Sequence, residues 1–223
     1  MVAQARTGPV TTGAWVLLVV AAGFAIGDWI SRVHPLPGSG SRLEYVCKPG
    51  TLVALIGVAL LVDPTHADER MWFTIALVLS LAGDVLLMHP ADLFVPGLAS
   101  FLLAHIAYVV GLNLHSEHNW WWAVPVVVVV GLSSARLMRG IRASGHRELI
   151  TPVGLYVVVI AMMGTSALAG GNRWAAVGAV LFMVSDTLIG ETRFVQPARW
   201  APVTIMVTYH LAQAGLVLSL VWS

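Results

Sequence analysis

The sequence has few charged residues and a single cysteine, and both shortages limit what this protein can do. Only 10% of the 223 residues are Asp, Glu, Lys or Arg, and the formal net charge is +1. That balance provides no basic surface for nucleic acid, so we expect no nucleic-acid partner. One cysteine, Cys47, excludes an internal disulfide and any zinc or iron–sulfur site built from several cysteines.

Apolar residues make up 58% of the chain, and the mean hydropathy of +0.83 is far above that of a soluble domain. At about 20 residues for each crossing, eight membrane crossings need about 160 residues and leave too few for a soluble domain. Continuous rather than alternating apolarity favours helices over a β-barrel. The sequence therefore predicts an all-α, polytopic membrane protein in which residues 1–223 form one bundle of eight transmembrane helices.

Polar or Pro/Gly-rich breaks separate the eight apolar runs. The predicted helices lie near residues 14–30, 45–62, 71–88, 96–113, 120–138, 150–168, 174–190 and 201–221. The breaks include residues 34–40, 63–70, 115–119 and an arginine-rich stretch at 136–147, which we expect to contact anionic lipid headgroups. Arg6 before the first run leaves a cleaved signal peptide open, but Gly23 and Gly27, one turn apart, favour a helix that packs in the bundle.

Basic residues are divided unevenly between the two sides that an eight-helix topology predicts. The side of the N-terminus has three: Arg6, Arg70 and Arg173. The opposite side has nine: Arg32, Arg42, Lys48, Arg136, Arg139, Arg142, Arg147, Arg193 and Arg199. Because basic loops stay in the cytoplasm, we expect a cell (inner) membrane protein with both termini outside. Tryptophans at 120–122 and 222 fall at the outer interface, which agrees with this orientation.

Several polar side chains lie inside the apolar runs, where an ionisable group needs a partner, water or a task. They are Asp28, Lys48, Asp84, His105, Tyr156 and Asp186. Because the helices alternate in direction, all six are expected in the half of the membrane nearer the cytoplasm. We therefore predict one polar cavity that opens near the cytoplasmic interface.

Two of the apolar runs contain similar segments, at residues 81–87 and 183–189. Each has a small residue, then Asp84 or Asp186, then x-Leu-aliphatic, and each is followed by a histidine in the next helix, His105 or His210. This pattern suggests two four-helix halves related by an axis along the membrane normal. Such an axis could bring Asp84 and Asp186 to face each other.

Short motifs in six of the predicted helices resemble the YhhN-like lysoplasmalogenase family. They are Lys48-Pro49, Gly83-Asp84-x-Leu, Phe101-x-x-Ala104-His105-x-x-Tyr108, Tyr156, Gly178-Ala179-x-x-Phe182-x-x-Ser185-Asp186 and Tyr209-x-x-Ala212-Gln213. The resemblance implies an integral membrane hydrolase that cleaves the alkenyl ether bond of lysoplasmalogens. The products would be a fatty aldehyde and a glycerophospho-alcohol, and the partners would be the lysophospholipid substrate and membrane lipids.

Hydrolysis of an alkenyl ether begins with protonation of the β-carbon and proceeds through an oxocarbenium ion that water captures. The reaction needs an acid and an anion, which paired carboxylates supply in glycoside hydrolysis. We hypothesise that Asp84 and Asp186 form this pair and share a proton. Which of the two is the acid stays open.

Further polar residues are candidates to support this pair. His105 and Tyr108 would orient water or a carboxylate, and Lys48 would either bind the lipid phosphate or hold one aspartate ionised. Candidates for substrate contacts or support are Tyr156, Gln213, Tyr209 and Ser185. Ser185 lacks a Gly-x-Ser-x-Gly setting, so a serine esterase is not expected.

Three other functions stay open at this stage. A hydrolase of another lipid ether or an epoxide could use the same aspartates, and a proton-coupled transporter could place Asp, Lys and His at a repeat interface. A b-type haem protein could use His105 and His210 as axial ligands. No metal-binding spacing is present, we expect no cofactor, and the sequence does not indicate an oligomeric state.

Overall fold

The described residues form eight long helices, and each is long and apolar enough to cross a membrane. The computed structural model describes residues 10–33, 40–115, 117 and 119–222, without the side chains of residues 40 and 41. The helices are α1 (Thr12–Val33), α2 (Gly40–Leu61), α3 (Ala67–Met88), α4 (Phe94–Leu112), α5 (Ala123–Ala143), α6 (Ile150–Ala169), α7 (Arg173–Phe194) and α8 (Ala201–Leu218). The predicted all-α, multi-pass membrane fold is confirmed. Arg6 and most of the predicted break at 34–40 lie outside the described residues.

Several helices differ in extent from the apolar runs that predicted them. Residues 120–122 form a separate 3₁₀ turn before α5, α7 continues to Phe194, and α8 ends at Leu218. The arginine-rich stretch, predicted as a break, is helical as far as Ala143. The reason is that charge ends an apolar run without ending a helix: Ile141 on its inner face is fully buried in a cluster with Phe94 and Phe194.

The two ends of the bundle differ in composition. At one end, which we call the tryptophan end, the Trp222 ring lies 6.1 Å from that of Trp15 and 5.6 Å from that of Trp174. The Thr65 amide donates to the Leu220 carbonyl there, so the α2–α3 connection lies beside the end of the described chain. The opposite end, where α5 and α7 finish, has Arg136, Arg139, Arg142 and Arg193, and we call it the arginine end.

Helices α7 and α8 touch backbone to backbone, whereas α5 lies at the periphery. A Cβ atom added at Gly178 would lie 2.9 Å from both the Ala212 carbonyl oxygen and the Leu216 nitrogen. Small residues that let backbones approach in this way are typical of membrane helix interfaces. In α5, by contrast, only Val126 and Ile141 are buried. Helices α7 and α8 are therefore packed closely, and α5 is the least buried of the eight described helices.

Replacing Gly178 with alanine should destabilise the bundle, because the added methyl group has to push α7 and α8 apart. Overpacking of this kind costs about 1–3 kcal/mol. The matched control is Gly154→Ala in α6, where nothing lies within 4 Å of the added Cβ and the gain in helix propensity is the same. Thermal unfolding in detergent, followed by tryptophan fluorescence, should give a lower midpoint for Gly178→Ala. Equal midpoints in the two variants would contradict the close contact.

Candidate active site

Asp84 is a buried carboxyl in α3 with two close partners from other helices. Lys48 Nζ of α2 lies 3.0 Å from Oδ1, and the Tyr209 hydroxyl of α8 donates to Oδ2 at 2.7 Å. The Asp84 side chain is 1% exposed, and Lys48 is also buried. Both partners donate, so this carboxyl is bonded as an acceptor on each oxygen. Of the two roles predicted for Lys48, the contact corresponds to the one in which it holds an aspartate ionised.

Asp186 in α7 has a different environment. The Tyr156 hydroxyl of α6 donates to its Oδ2, and His105 Nε2 of α4 lies 3.7 Å from the same oxygen. In the described part of the chain no hydrogen bond reaches Oδ1 of Asp186. The Asp186 side chain is 11% exposed and lines a cavity, so it can meet a bound molecule.

The hydrogen bonding of His105 fixes what its second ring nitrogen can do. Nδ1 lies 2.6 Å from the carbonyl oxygen of Phe101. A carbonyl only accepts, so Nδ1 carries a proton, and in the neutral ring Nε2 is then an acceptor. Nε2 is buried and has no hydrogen-bond partner among the described residues. It therefore faces Asp186 as a second acceptor, and a proton or a water molecule is needed between the two.

Aromatic rings lie between the surroundings of the two carboxyls. The Phe182 ring is 4.6 Å from the ring of His105 and 5.5 Å from that of Tyr209. Among the described contacts, Asp84 and Asp186 make no hydrogen bond with each other. A proton shared directly between the two aspartates, as we hypothesised from the sequence, does not correspond to these contacts. Phe182 belonged to the sequence motif but was not a predicted site residue, because a phenylalanine in an apolar run carries no signal of its position.

Each aspartate is contacted by a residue from the helix pair that contains the other aspartate. Asp84 of α3 is bonded by Tyr209 of α8, and Asp186 of α7 is approached by His105 of α4. The α3–α4 pair and the α7–α8 pair thus each provide one carboxyl and one partner for the other pair. His210 does not repeat the role of His105, since its Nδ1 accepts from Trp29 Nε1 at 3.1 Å. The division into two four-helix halves stays a prediction.

The remaining predicted site residues bond to each other or to the backbone. The Tyr108 hydroxyl donates to Gln213 Oε1 at 2.6 Å, and both side chains are buried. The Ser185 hydroxyl donates to the Ile205 carbonyl at 3.2 Å and so links α7 to α8. These three residues fix the helices around the site, and none of them contacts a carboxyl.

Asp28, one of the six intramembrane polar residues, belongs to a separate ion-pair group near the arginine end. It is fully buried and lies 3.1 Å from Arg32, which also pairs with Glu44 at 2.8 Å. Among the described residues, no three His, Cys, Asp or Glu side chains are grouped so that they could hold a metal ion. The polar side chains that approach Asp186 in the described part of the chain are a phenol, Tyr156, and an imidazole, His105.

The cavity that Asp186 lines is a mainly apolar groove of about 490 Å³. One wall is α5, and the others come from α3, α4, α6 and α7. It extends from Trp122 near the tryptophan end to Glu191 and Phe194 near the arginine end. Asp186 lies eight residues before the end of α7, about 12 Å along the helix axis. We expected a polar cavity that opens near the cytoplasmic interface. The groove is mainly apolar instead, because α5, a valine-rich helix, forms much of its wall.

His105 also lies deeper than predicted. We expected it in the half of the membrane nearest the arginine-rich loops, but it lies just past the middle of α4, which begins at Phe94. Tyr156, six residues into α6, lies nearer the arginine end, about 9 Å from the start of that helix. Glu191, a residue that the sequence analysis did not select, lies in the groove wall at its arginine end. A carboxylate followed by Arg193 at the end of a helix resembles an ordinary solvated terminus, so no sequence pattern distinguishes Glu191.

Replacing only one partner of the Lys48–Asp84 ion pair should destabilise the protein. Lys48→Met leaves a buried carboxylate without its cation and is expected to cost about 3–5 kcal/mol of folding free energy. The double variant Lys48→Met with Asp84→Asn removes both charges and should recover most of that loss. Unfolding in detergent of the wild type, Lys48→Met, Asp84→Asn and the double variant forms a double-mutant cycle that measures the coupling energy between the two side chains. A double variant as unstable as Lys48→Met alone would contradict the direct pairing.

Comparison with known proteins identifies the family. The model of the YhhN family matches residues 43–220, a range that contains every site residue described above. A Mycobacterium tuberculosis protein named Lysoplasmalogenase is 31% identical over 213 residues, with 90% of this chain and 81% of the relative covered. The human protein named Lysoplasmalogenase TMEM86B is 32% identical over 173 residues, covering 78% of this chain and 72% of that protein. No solved structure matches the chain. The extent of these matches means that the chain belongs to the YhhN family.

Proposed function

We propose that this protein is a lysoplasmalogenase, an integral membrane hydrolase that cleaves the alkenyl ether bond of a single-chain phospholipid. Relatives from bacteria and mammals that bear this name support the reaction class. The observation that carries the proposal is the position of Asp186: a carboxyl in the wall of an apolar groove, with one oxygen bonded to Tyr156 and the other free of hydrogen bonds from the described residues. An acid group beside an apolar groove suits a substrate whose reactive bond adjoins a hydrocarbon chain.

The first step is proton transfer from Asp186 to carbon. The π electrons of the alkenyl ether form a bond to the carboxyl proton at the β-carbon, which leaves an oxocarbenium ion and an Asp186 carboxylate. Because the Tyr156 hydroxyl already donates to Oδ2, the transferable proton is on Oδ1. The new carboxylate lies next to the cation and stabilises it, as carboxylates do in glycoside hydrolysis.

The second step is capture of the cation by water. A water molecule has two protons to donate, and His105 Nε2 and the Asp186 carboxylate are two neighbouring acceptors that can orient it. The water oxygen bonds to the cationic carbon and its proton returns to Asp186, which gives a hemiacetal and restores the acid. The hemiacetal then transfers its hydroxyl proton to the ether oxygen as that C–O bond breaks, releasing aldehyde and glycerophospho-alcohol.

Asp84 does not contact the substrate and acts through other residues. It is 1% exposed and is not part of the groove wall, so we assign it, with Lys48, a positioning role. The pair fixes the Tyr209 hydroxyl, and the Tyr209 ring packs on Phe182, which in turn packs on His105. Only Asp186 is then the catalytic carboxyl, which departs from the pair of acid and anion, Asp84 and Asp186, that the sequence suggested.

The membrane orientation is part of the same proposal. We infer that the arginine end faces the cytoplasm, because basic residues accumulate there, and that both termini lie outside the cell membrane. The site then lies in the half of the membrane nearer the cytoplasm. A transporter would need polar residues along the whole pathway across the membrane. Towards the tryptophan end, however, the described lining of the groove is apolar, with residues such as Val126, Leu168 and Val180.

Asp186→Asn should lower aldehyde formation from an alkenyl lysolipid by about 10²–10⁴-fold, the usual contribution of a general acid. The amide keeps the size of the side chain but cannot donate a carboxyl proton. Asp68→Asn is the matched control, because Asp68 is a partly exposed carboxyl at the tryptophan end, bonded to His115. It should retain wild-type turnover. Thermal midpoints of both variants test for folding, and near-normal turnover in a folded Asp186→Asn protein would refute the assignment.

Reaction in D₂O should place one deuterium on the carbon next to the aldehyde carbonyl, because the first step adds a solvent-derived proton to that carbon. The aldehyde is reduced as it forms, so that later exchange does not add label, and is analysed by mass spectrometry. The control substrates are the alkyl and acyl lysolipids of the same chain length. We expect neither to yield aldehyde. Unlabelled aldehyde from the alkenyl substrate would rule out protonation at carbon, and aldehyde from the alkyl lipid would indicate a different ether chemistry.

A further inference from the structure

A second cavity adjoins the groove at the arginine end. It has a volume of about 430 Å³ and is lined by Arg136, Arg139, Gly140, Ala143, Phe194 and Val195. Phe194 belongs to the walls of both cavities, so the second lies directly beyond the end of the groove. It forms where α5 crosses the end of α7, since a Cβ atom at Gly140 would lie 2.6 Å from the Phe194 carbonyl oxygen.

The arginines around this second cavity differ in whether a carboxylate already engages them. Arg136 Nε lies 2.9 Å from Glu191 Oε2. Arg193 pairs with Asp92 at 2.9 Å and stacks over the Phe94 ring at 4.0 Å. Among the described residues, Arg139 bonds only to the Ala135 carbonyl of its own helix, at 3.2 Å, and no carboxylate pairs with it. Its guanidinium is therefore the one in the cavity wall that can accept an anion without breaking an ion pair.

The depth of the cavity matches the length of the substrate that the proposed function requires. In such a lipid six bonds separate the reactive ether carbon from the phosphorus atom, a reach of about 7 Å when extended. Along α7, Glu191 lies five residues beyond Asp186, a rise of about 7.5 Å, and Phe194 lies about 12 Å beyond it. A lipid with its ether bond at Asp186 and its chain in the groove would therefore place its phosphate near the level of Glu191, where Arg136, a residue of the second cavity's wall, lies 2.9 Å from the Glu191 carboxylate.

We propose that Arg139 binds the phosphate of the lysolipid and is the residue that makes the enzyme select a phospholipid over an uncharged glycerol ether. This inference rests on the proposed function. Guanidinium groups suit phosphate because they present several parallel donors. Arg136 is paired with Glu191, so these two charges cancel, and Arg139 is the cation in this wall that no carboxylate of the described residues neutralises.

The test compares two substrates with the same alkenyl chain, one with a phosphate headgroup and one that ends at glycerol. Arg139→Gln should raise KM for the phosphate-bearing lipid about tenfold, as expected for loss of a charge-assisted hydrogen bond. The ratio of kcat/KM between the two substrates should fall by about the same factor. Arg142→Gln is the matched control, because it removes the same charge from the same helix end but Arg142 is not in the cavity wall. It should keep the wild-type ratio.

Three results would overturn the inference. Equal loss on both substrates would indicate a structural effect, and an unchanged ratio would mean that Arg139 does not read the headgroup. A similar fall for Arg142→Gln would assign the phosphate contact to the general surface charge that attracts bilayer headgroups.

Binding of alkyl ether analogues with and without phosphate separates this inference from the proposed function, because these lipids need not be cleaved. Binding in detergent can be followed by tryptophan fluorescence, and Arg139→Gln should weaken only the phosphate-bearing analogue. If the wild type cleaves no alkenyl lipid but this difference persists, the proposed reaction fails and the phosphate site stands. If the wild type cleaves alkenyl lipid but Arg139→Gln binds both analogues as the wild type does, the phosphate site fails alone.

Discussion

The buried ion pair between Lys48 and Asp84 is the constraint on which the rest of the site depends. Neither charge can be left alone among apolar helices without a large desolvation cost, so α2 and α3 are held in the one arrangement that brings the ammonium and the carboxylate within 3.0 Å. The second carboxylate oxygen binds Tyr209 and thereby fixes α8 to the same point. Because the Tyr209 ring packs on Phe182, and Phe182 packs on His105, a buried pair outside the groove wall helps to position the histidine that faces Asp186.

The different surroundings of the two aspartates assign them different chemistry. Asp84 receives a cation and a hydroxyl, which leaves neither oxygen free for a reaction. Among the described residues, Asp186 accepts a hydrogen bond from the Tyr156 hydroxyl and faces a histidine nitrogen that cannot donate in its neutral form. Asp186 also lines the groove. Environments that separate two carboxyls in this way are how one fold gives the same residue type two different roles. A single carboxyl can then serve as acid and afterwards as base, because protonation and hydration occur at adjacent carbons.

Periodic and compositional features predicted the fold well, but the contacts of the site only in part. Hydropathy alone indicates eight helices, and two aspartates deep in apolar runs stand out because a short carboxyl cannot reach the interface. The partners could not be read in the same way: Tyr209 is 125 residues from Asp84, and which of the tyrosines and histidines meets which carboxyl depends on how helices rotate and cross. The arginine-rich segment was predicted as a break because charge and loops usually coincide, whereas the buried face of Ile141 keeps it helical.

The apolar wall of the groove explains how a reaction that needs water can occur inside a membrane without admitting much of it. His105 Nε2 and Asp186 are the acceptors that the proposed mechanism uses, so a water molecule is favoured beside them and is poorly held among the valines of α5. The same wall separates the products. A fatty aldehyde gains nothing from leaving apolar surroundings and can pass into the bilayer beside the loosely packed α5, whereas the glycerophospho-alcohol has no stable place in hydrocarbon. In the proposed reaction the charged product would leave towards the arginine end, where the basic residues lie, and that separation in space opposes recombination of the two halves.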